Sequence, residues 1–262
     1  MERYRRGKGK KGLLGSHQKC WIWGRNAVLE TLKSPRWEIL DLCLSSALAA
    51  EALREARQLA GERGWPVKTE PPEVLTRLCH SSEHQGYLAR MTDFPYWAAD
   101  QALAALPPAP LCAVLDGIQD PHNFGALIRS AEVFGVDALF IGASGQVGVT
   151  SMVVRSSAGA VNRVPIVRVE DVAHLAARLK ARGLALVGAS EKAQAPLSAV
   201  NFKRPTAIVI GSEGTGIQPA LRAACDALAQ IPQFGHVGSL NAAVAASIFF
   251  YEARRQRGAA VS

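Results

Sequence analysis

No two cysteines of this chain lie close enough in sequence to share a metal. The five, Cys20, Cys43, Cys79, Cys112 and Cys225, are scattered and form no C-x-x-C. That argues against a zinc site and a disulfide framework and fits a reducing compartment. Several sit within apolar runs, where a thiol packs as a small hydrophobe. The six histidines, His17, His80, His84, His122, His174 and His236, show no metal-ligand spacing either. No uninterrupted apolar run reaches the ~18 residues of a membrane-spanning helix. The first residues carry no apolar stretch of signal-peptide length. No paired carboxylates flank a gap, and no Ser-His-Asp arrangement emerges. The expectation is a soluble cytoplasmic protein that needs no metal and no membrane.

What is present describes a globular chain. It has 262 residues, 48% hydrophobic and 20% charged, enough for one large or two small domains with a sizeable core. The net charge is +8, and much of it is local. Arg3, Arg5, Arg6, Lys8, Lys10 and Lys11 crowd the first dozen residues against Glu2 alone. Basic arms of this kind contact phosphate backbones; a solvated tail with no partner is the alternative.

Two units follow the arm at 1–19. Over 20–91, helices at 26–33, 47–63 and 72–79 alternate with strands at 38–44, 66–69 and 86–91, the pattern of a small α/β layer fold. Residues 92–110 hold Phe94-Pro95, a short alanine-rich helix and then Pro107, Pro108 and Pro110, which reads as a linker. The second unit, 111–258, opens on a continuous apolar run at 111–115, suited to a buried parallel strand. Further strands are expected at 138–142, 164–167, 184–188, 206–211 and 227–232, with helices at 125–134, 172–182 and 238–256. The fold class is therefore α/β with a parallel sheet covered by helices. Ligands of such sheets sit beyond the carboxyl ends of the strands, which singles out the loops after Leu115, Gly211 and Pro232.

The first of these loops runs from Asp116 to Gly125 and leads into a helix bearing Arg129. Asn123 could cap that helix. Arg129, on its first or second turn, opposes the positive end of the helix dipole. As a stabilising choice that is odd; as a clamp on a phosphate or substrate it makes sense, with a surface salt bridge as the alternative. The second loop, Gly211-Ser212-Glu213-Gly214-Thr215-Gly216, can turn backbone N–H groups toward a ligand. It lacks both the G-x-G-x-x-G spacing and the Gly-Lys-Ser/Thr of a phosphate loop. Glu213 has a simpler reading as the cap of a following turn. The third loop continues Ile231-Pro232-Gln233-Phe234 through Ser239-Leu240-Asn241 into an apolar helix. Ser239 has an N-cap reading, whereas Asn241 inside a first turn is harder to explain as stabilising. His122 and His236 lie in these loops, where a histidine can act near neutral pH or serve as a polar contact.

These three loops, in this order and spacing, resemble the SpoU class of RNA ribose 2′-O-methyltransferases, also called the TrmH family. The likeness rests on Asp120-Pro121-His122-Asn123-Phe124-Gly125 with Arg129, on Ile210-Gly211-Ser212-Glu213-Gly214, and on Ile231-Pro232 with Ser239-Leu240-Asn241. Gly24, Ala27, Val28, Glu30 and Leu32, with the His84-Gln85-Gly86 turn, are similar to the small L30e-like RNA-binding domain of the ribosomal RNA members. The two-domain layout is most similar to members that methylate a guanosine ribose of large-subunit (23S) ribosomal RNA. The resemblance implies a C-terminal trefoil knot, a homodimer, and S-adenosylmethionine held by the knotted loops. It places the cofactor against Gly211, Ile231 and Leu240. It gives Asn123, Arg129, Glu213, Ser239 and Asn241 the family's substrate and catalytic positions. Gln233 and Phe234 depart from the smaller or more flexible residues expected after Ile231-Pro232.

Methyl transfer to a ribose needs the hydroxyl in line with the methyl and its proton removed. In the family the arginine at the Arg129 position is the proposed base. A guanidinium, a poor base, serves equally as a phosphate clamp that stabilises the developing alkoxide, leaving Glu213 or His122 to take the proton. A transfer RNA substrate is the first alternative, though tRNA members commonly use short terminal extensions in place of a domain at 20–91. A non-catalytic RNA-binding assembly factor is the second, and the intact motif residues argue against it. A nucleotide-dependent oxidoreductase comes last, for want of the phosphate fingerprint.

Overall fold

The structure is a computed structural model that describes residues 20–258, so the basic arm at 1–19 lies outside the described residues. The described residues fall into two units divided between Pro95 and Tyr96.

The first unit is a four-stranded sheet of β1 (Trp21–Trp23), β2 (Ile39–Ser45), β3 (Val67–Glu70) and β4 (Tyr87–Met91), with α1 (Arg25–Lys33), α2 (Ala50–Gly61) and α3 (Pro72–Cys79) between them. The order is β1-β4-β2-β3, with β4 antiparallel to β1 and β2. Alternate residues of a strand point to opposite faces. Trp21, Trp23, Cys43 and Leu88 accordingly pack with Leu75 and Cys79 of α3. β1 is a strand the expected pattern omits, because three residues are too few for a period to register.

In the second unit, α4 (Ala99–Ala104) precedes β5 (Leu111–Asp116), α5 (Pro121–Val133), β6 (Ala138–Gly142), α6 (Ser151–Ser156), β7 (Ile166–Val169), α7 (Val172–Ala181) and β8 (Ala185–Ala189). Then come β9 (Ala195–Pro196), β10 (Thr206–Gly211), α8 (Pro219–Ala224), β11 (Ala227–Gln230) and α9 (Ala242–Arg257). All seven strands are parallel, in the order β7-β6-β5-β10-β8-β11-β9. Every residue of β5 is buried, as its unbroken apolar run requires. Cys112, Val114, Phe140 and Val209 pack with Leu175, Leu179 and Leu221 of α7 and α8. On the other face α9 meets β10 and β8, with Phe249 and Phe250 buried.

The expected linker at 92–110 needs correction. Ala102 and Leu103 of α4 are buried in the core of the second unit, so this part of the stretch is packed. The helix itself is expected from the alanine run, but alanine is a weak hydrophobe, so its packing shows only where the neighbouring Leu103 finds a core. Short helices α6 and α8 were not expected, since six residues hold too little periodicity.

The order of strands sets the site. From β5 the chain passes through α5 to β6 on one side, while from β10 it passes through α8 to β11 on the other. The connections diverge between β5 and β10, the kind of point where open α/β sheets hold ligands.

Candidate active site at the carboxyl edge of the parallel sheet

The loop after β5 is tied down at both ends. Buried Asp116 accepts the Gln218 backbone N–H at 2.7 Å and its side-chain amide at 3.0 Å, joining this loop to the one after β10. Asp120 caps α5 by accepting the His122 N–H at 3.0 Å, and Pro121 supplies the preset φ of a first helical residue. The helix thus starts four residues before the expected position. Asn123 is not its cap. It lies in the first turn with its amide free to reach outward.

After β10 the chain doubles back at once. Ser212 and Gly216 exchange backbone hydrogen bonds of 3.2 and 2.9 Å, and the Ser212 hydroxyl meets that of Thr215 at 2.8 Å. Gly211 is obligatory here: a Cβ on it would lie 2.1 Å from the Gly216 carbonyl carbon and 2.2 Å from the Ile217 nitrogen. This turn carries Glu213 near its tip.

The loop after β11 is exposed from Pro232 through Asn241. Asn241 ends it as the N-cap of α9, its Oδ1 accepting from Ala243 N at 2.9 Å and Val244 N at 3.3 Å. The capping role expected of Ser239 therefore belongs to Asn241. The helix begins at Ala242, four residues after the expected start.

Three motifs now meet on one carboxylate oxygen. Glu213 Oε1 accepts the Asn123 side-chain amide, the Asn241 side-chain amide at 3.0 Å and the Ala242 backbone N–H at 3.4 Å. Asn241 also donates to Asn123 Oδ1 at 2.9 Å. The result is a closed polar clasp across residues 123, 213 and 241. Charge-assisted bonds of this kind hold their donors more firmly than neutral ones.

Beside the clasp opens a cleft of about 230 Å³. Gly211, Glu213, Ile231, Ser239 and Leu240 all line it, so the three residues expected to hold a cofactor share one wall with two of the expected catalytic residues. Apolar Ile210, Ile217 and Phe249 form much of the rest, and Glu191, Lys192 and Arg222 bring charge. The segment 189–192 at the end of β8 and the residues of α9 were not among the expected contributors. The carboxyl-end rule applied to the strand at 184–188 would have found the former.

Arg129 stands apart from the clasp. It is exposed, the ninth residue of α5, and its side chain makes no hydrogen bond or ion pair with any described residue. Its distance from the positive end of the helix removes most of the dipole argument against it. His122 and His236 are exposed. Among the described residues no group of His, Cys, Asp or Glu is placed to hold a metal ion, and no helix is long and apolar enough to cross a membrane.

Residues 110–251 match the SpoU rRNA methylase family. The chain belongs to that family. Residues 21–97 match a second family, described as RNA 2′-O ribose methyltransferase substrate binding. The 23S rRNA (guanosine-2′-O-)-methyltransferase RlmB of Xanthomonas campestris is 33% identical over 92% of this chain and 98% of that protein. Its namesake in Shewanella oneidensis is 34% identical over 90% and 97%. Among solved structures, the SpoU methyltransferase AviRb of Streptomyces viridochromogenes in complex with the cofactor AdoMet is 27% identical. It superposes at a TM-score of 0.77 over 90% of each chain.

Proposed function

We propose that this SpoU-family chain transfers the methyl group of S-adenosylmethionine to the ribose 2′-hydroxyl of a guanosine in large-subunit (23S) ribosomal RNA. The observation that carries the reading is the clasp of Asn123, Glu213 and Asn241 on the rim of a cleft walled by Gly211, Ile231 and Leu240. Joining three separate loops in one polar network serves a site, because an exposed network of this kind stabilises a fold little. The RlmB relatives support the substrate, and the AdoMet complex of AviRb supports the cofactor.

The cleft fits such a cofactor. Gly211 brings bare backbone to the wall, Ile210, Ile231 and Leu240 offer apolar cover for a base and sugar, and Glu191, Lys192 and Arg222 can meet a zwitterion. Bound there, S-adenosylmethionine supplies a methyl group on a sulfonium, activated for displacement. The protein's part is to bring a hydroxyl into line and remove its proton. Glu213 Oε1 is occupied by three donors, which fixes the carboxylate and leaves Oε2 facing no described donor. In this reading Oε2 receives the 2′-hydroxyl proton, directly or through a water. Arg129 clamps an RNA phosphate and steadies the negative charge growing on the 2′-oxygen. Ser239, exposed on the cleft rim, orients the sugar.

A homodimer belongs to the same reading. Val244 and Tyr251 share one exposed face of α9, and exposed Val133 ends the helix packed beside it. An apolar stripe of this kind suits a second copy. The C-terminal trefoil knot is also part of the proposal, supported by membership of the SpoU family.

The test is methyl transfer from labelled S-adenosylmethionine to unmodified large-subunit rRNA and to bulk tRNA, with the labelled nucleoside identified after digestion. Label on one rRNA guanosine ribose is expected. Label in tRNA alone moves the substrate, and binding without label leaves an assembly factor. Arg129→Ala is expected to abolish transfer while cofactor affinity, measured by calorimetry, stays near that of the parent. Loss of cofactor binding in that variant gives Arg129 a structural role.

A further inference from the structure

Phe234 holds its ring in water. At 98% exposure it is the most exposed large apolar side chain of the described residues. It sits in the loop between β11 and α9, directly after Gln233, which lines the cleft, and ahead of Ser239 and Leu240, which line it too. The ring itself forms no part of the cleft wall, so it stands at the rim. A Cβ added at Gly235 or Gly238 would meet nothing within 4 Å, so side-chain room does not explain the glycines that flank the ring. Around it in sequence Gln233, Gly235, His236 and Gly238 are polar or bare, and Val237 is the one other exposed apolar side chain of the stretch. This surrounding differs from the apolar stripe of Val133, Val244 and Tyr251 on α5 and α9. One ring and one small aliphatic side chain on a glycine-rich loop make a poor core for a protein interface, which needs contiguous apolar cover. It is well suited to a flat partner with a π face.

We infer that Phe234 stacks on a base of the substrate RNA, next to the nucleotide whose ribose enters the cleft. The inference rests on the RNA methyl-transfer reading above. A ribose hydroxyl reaches an in-line position only if its nucleotide leaves the helical stack, and the bases around it are then splayed. Proteins that receive unstacked RNA hold such bases on aromatic side chains, and the ring discriminates little between bases because each has a π face. The loop thus has two duties on either side of one bend: Gln233, Ser239 and Leu240 turn toward the cleft, and Phe234 turns toward the strand.

The experiment compares the full chain with Phe234→Ala, Phe234→Tyr and Phe234→Leu. Affinity is measured for a single-stranded oligoribonucleotide carrying 2-aminopurine, whose fluorescence is quenched by stacking, and KM is measured for a large-subunit rRNA transcript. Cofactor affinity and sedimentation mass are recorded for each variant. Phe234→Ala is expected to weaken RNA binding about 5- to 150-fold and to raise KM for RNA in step, with cofactor affinity and mass unchanged. Phe234→Tyr recovers binding and quenching, and Phe234→Leu does not, since it keeps apolar area but has no π face. Unchanged RNA affinity in Phe234→Ala, or full recovery by leucine, overturns the stacking role. A drop in mass that RNA affinity follows assigns the ring to a contact between copies and overturns it as well. Wild-type binding that depends on Phe234 without any methyl transfer sinks the proposed function and leaves the stacking intact. Transfer that ignores Phe234 does the reverse.

Discussion

The arginines that end α9 do more than match a helix dipole. Arg257 donates to four carbonyl oxygens, of Phe202, Ala109, Pro110 and Arg204, at 2.8 to 3.0 Å. Arg254 reaches Phe134 O and Gly135 O at 2.8 and 2.7 Å, closing the exposed end of α5. Each guanidinium spends its fixed fork of donors on backbone groups that would otherwise lack partners. No window of sequence shows these bonds, because the acceptors lie more than fifty residues away. Buried thiols act at the same scale. Burial pushes the Cys112 thiol up from 9.0 to about 12, and burial, with Asp226 nearby, pushes Cys225 up to about 11. The unfolded chain therefore ionises first as pH rises, so the contribution of these thiols to stability is whole below pH about 9 and declines from there toward 12. We expect the urea midpoint of the parent to fall more steeply above pH 9 than that of a Cys112→Ala/Cys225→Ala variant. Parallel curves from pH 7 to 10.5 would refute the assignment.

At the scale of elements, helix starts carry the chemistry. Asp120 caps α5 and thereby frees Asn123; Asn241 caps α9 while its amide joins the clasp. The two functions of Asn241 are separable. Asn241→Ala removes both, costing about 1 kcal/mol of stability for the cap. Asn241→Asp keeps a capping oxygen but loses the donors to Asn123 and Glu213 and sets a carboxylate against Glu213. Thermal melting is expected to place the Asp variant nearer the parent than the Ala variant, and the label-transfer assay to find both strongly impaired. An active Asn241→Asp enzyme would show that the clasp is dispensable. Sequence marked the caps as candidates but put two of them on the wrong residue. Ser239 and Asn241 have the same capping chemistry, and only the actual course of the chain decides between them.

For the whole molecule, charge and topology matter most. The arm's six cations fall within the first dozen residues of a chain whose net charge is +8. Removing residues 1–19 is expected to weaken RNA binding and to flatten its dependence on salt, by up to ~0.7 in log–log slope for each single-strand phosphate that the arm neutralises. A filter-binding titration from 50 to 300 mM salt measures this, and an unchanged slope makes the arm a bystander.

The amino-acid sequence by itself determined the parallel strands, the two-unit layout and the residues of the three loops, because these follow from local apolar runs, turn chemistry and the order of motifs along the chain. It did not determine that β10 lies between β5 and β8, that α4 packs into a core, or that Glu213 receives Asn123 and Asn241 across gaps of 90 and 28 residues. Those depend on which buried faces find one another. That choice is made by the packing of the whole sheet, so no window of sequence contains it.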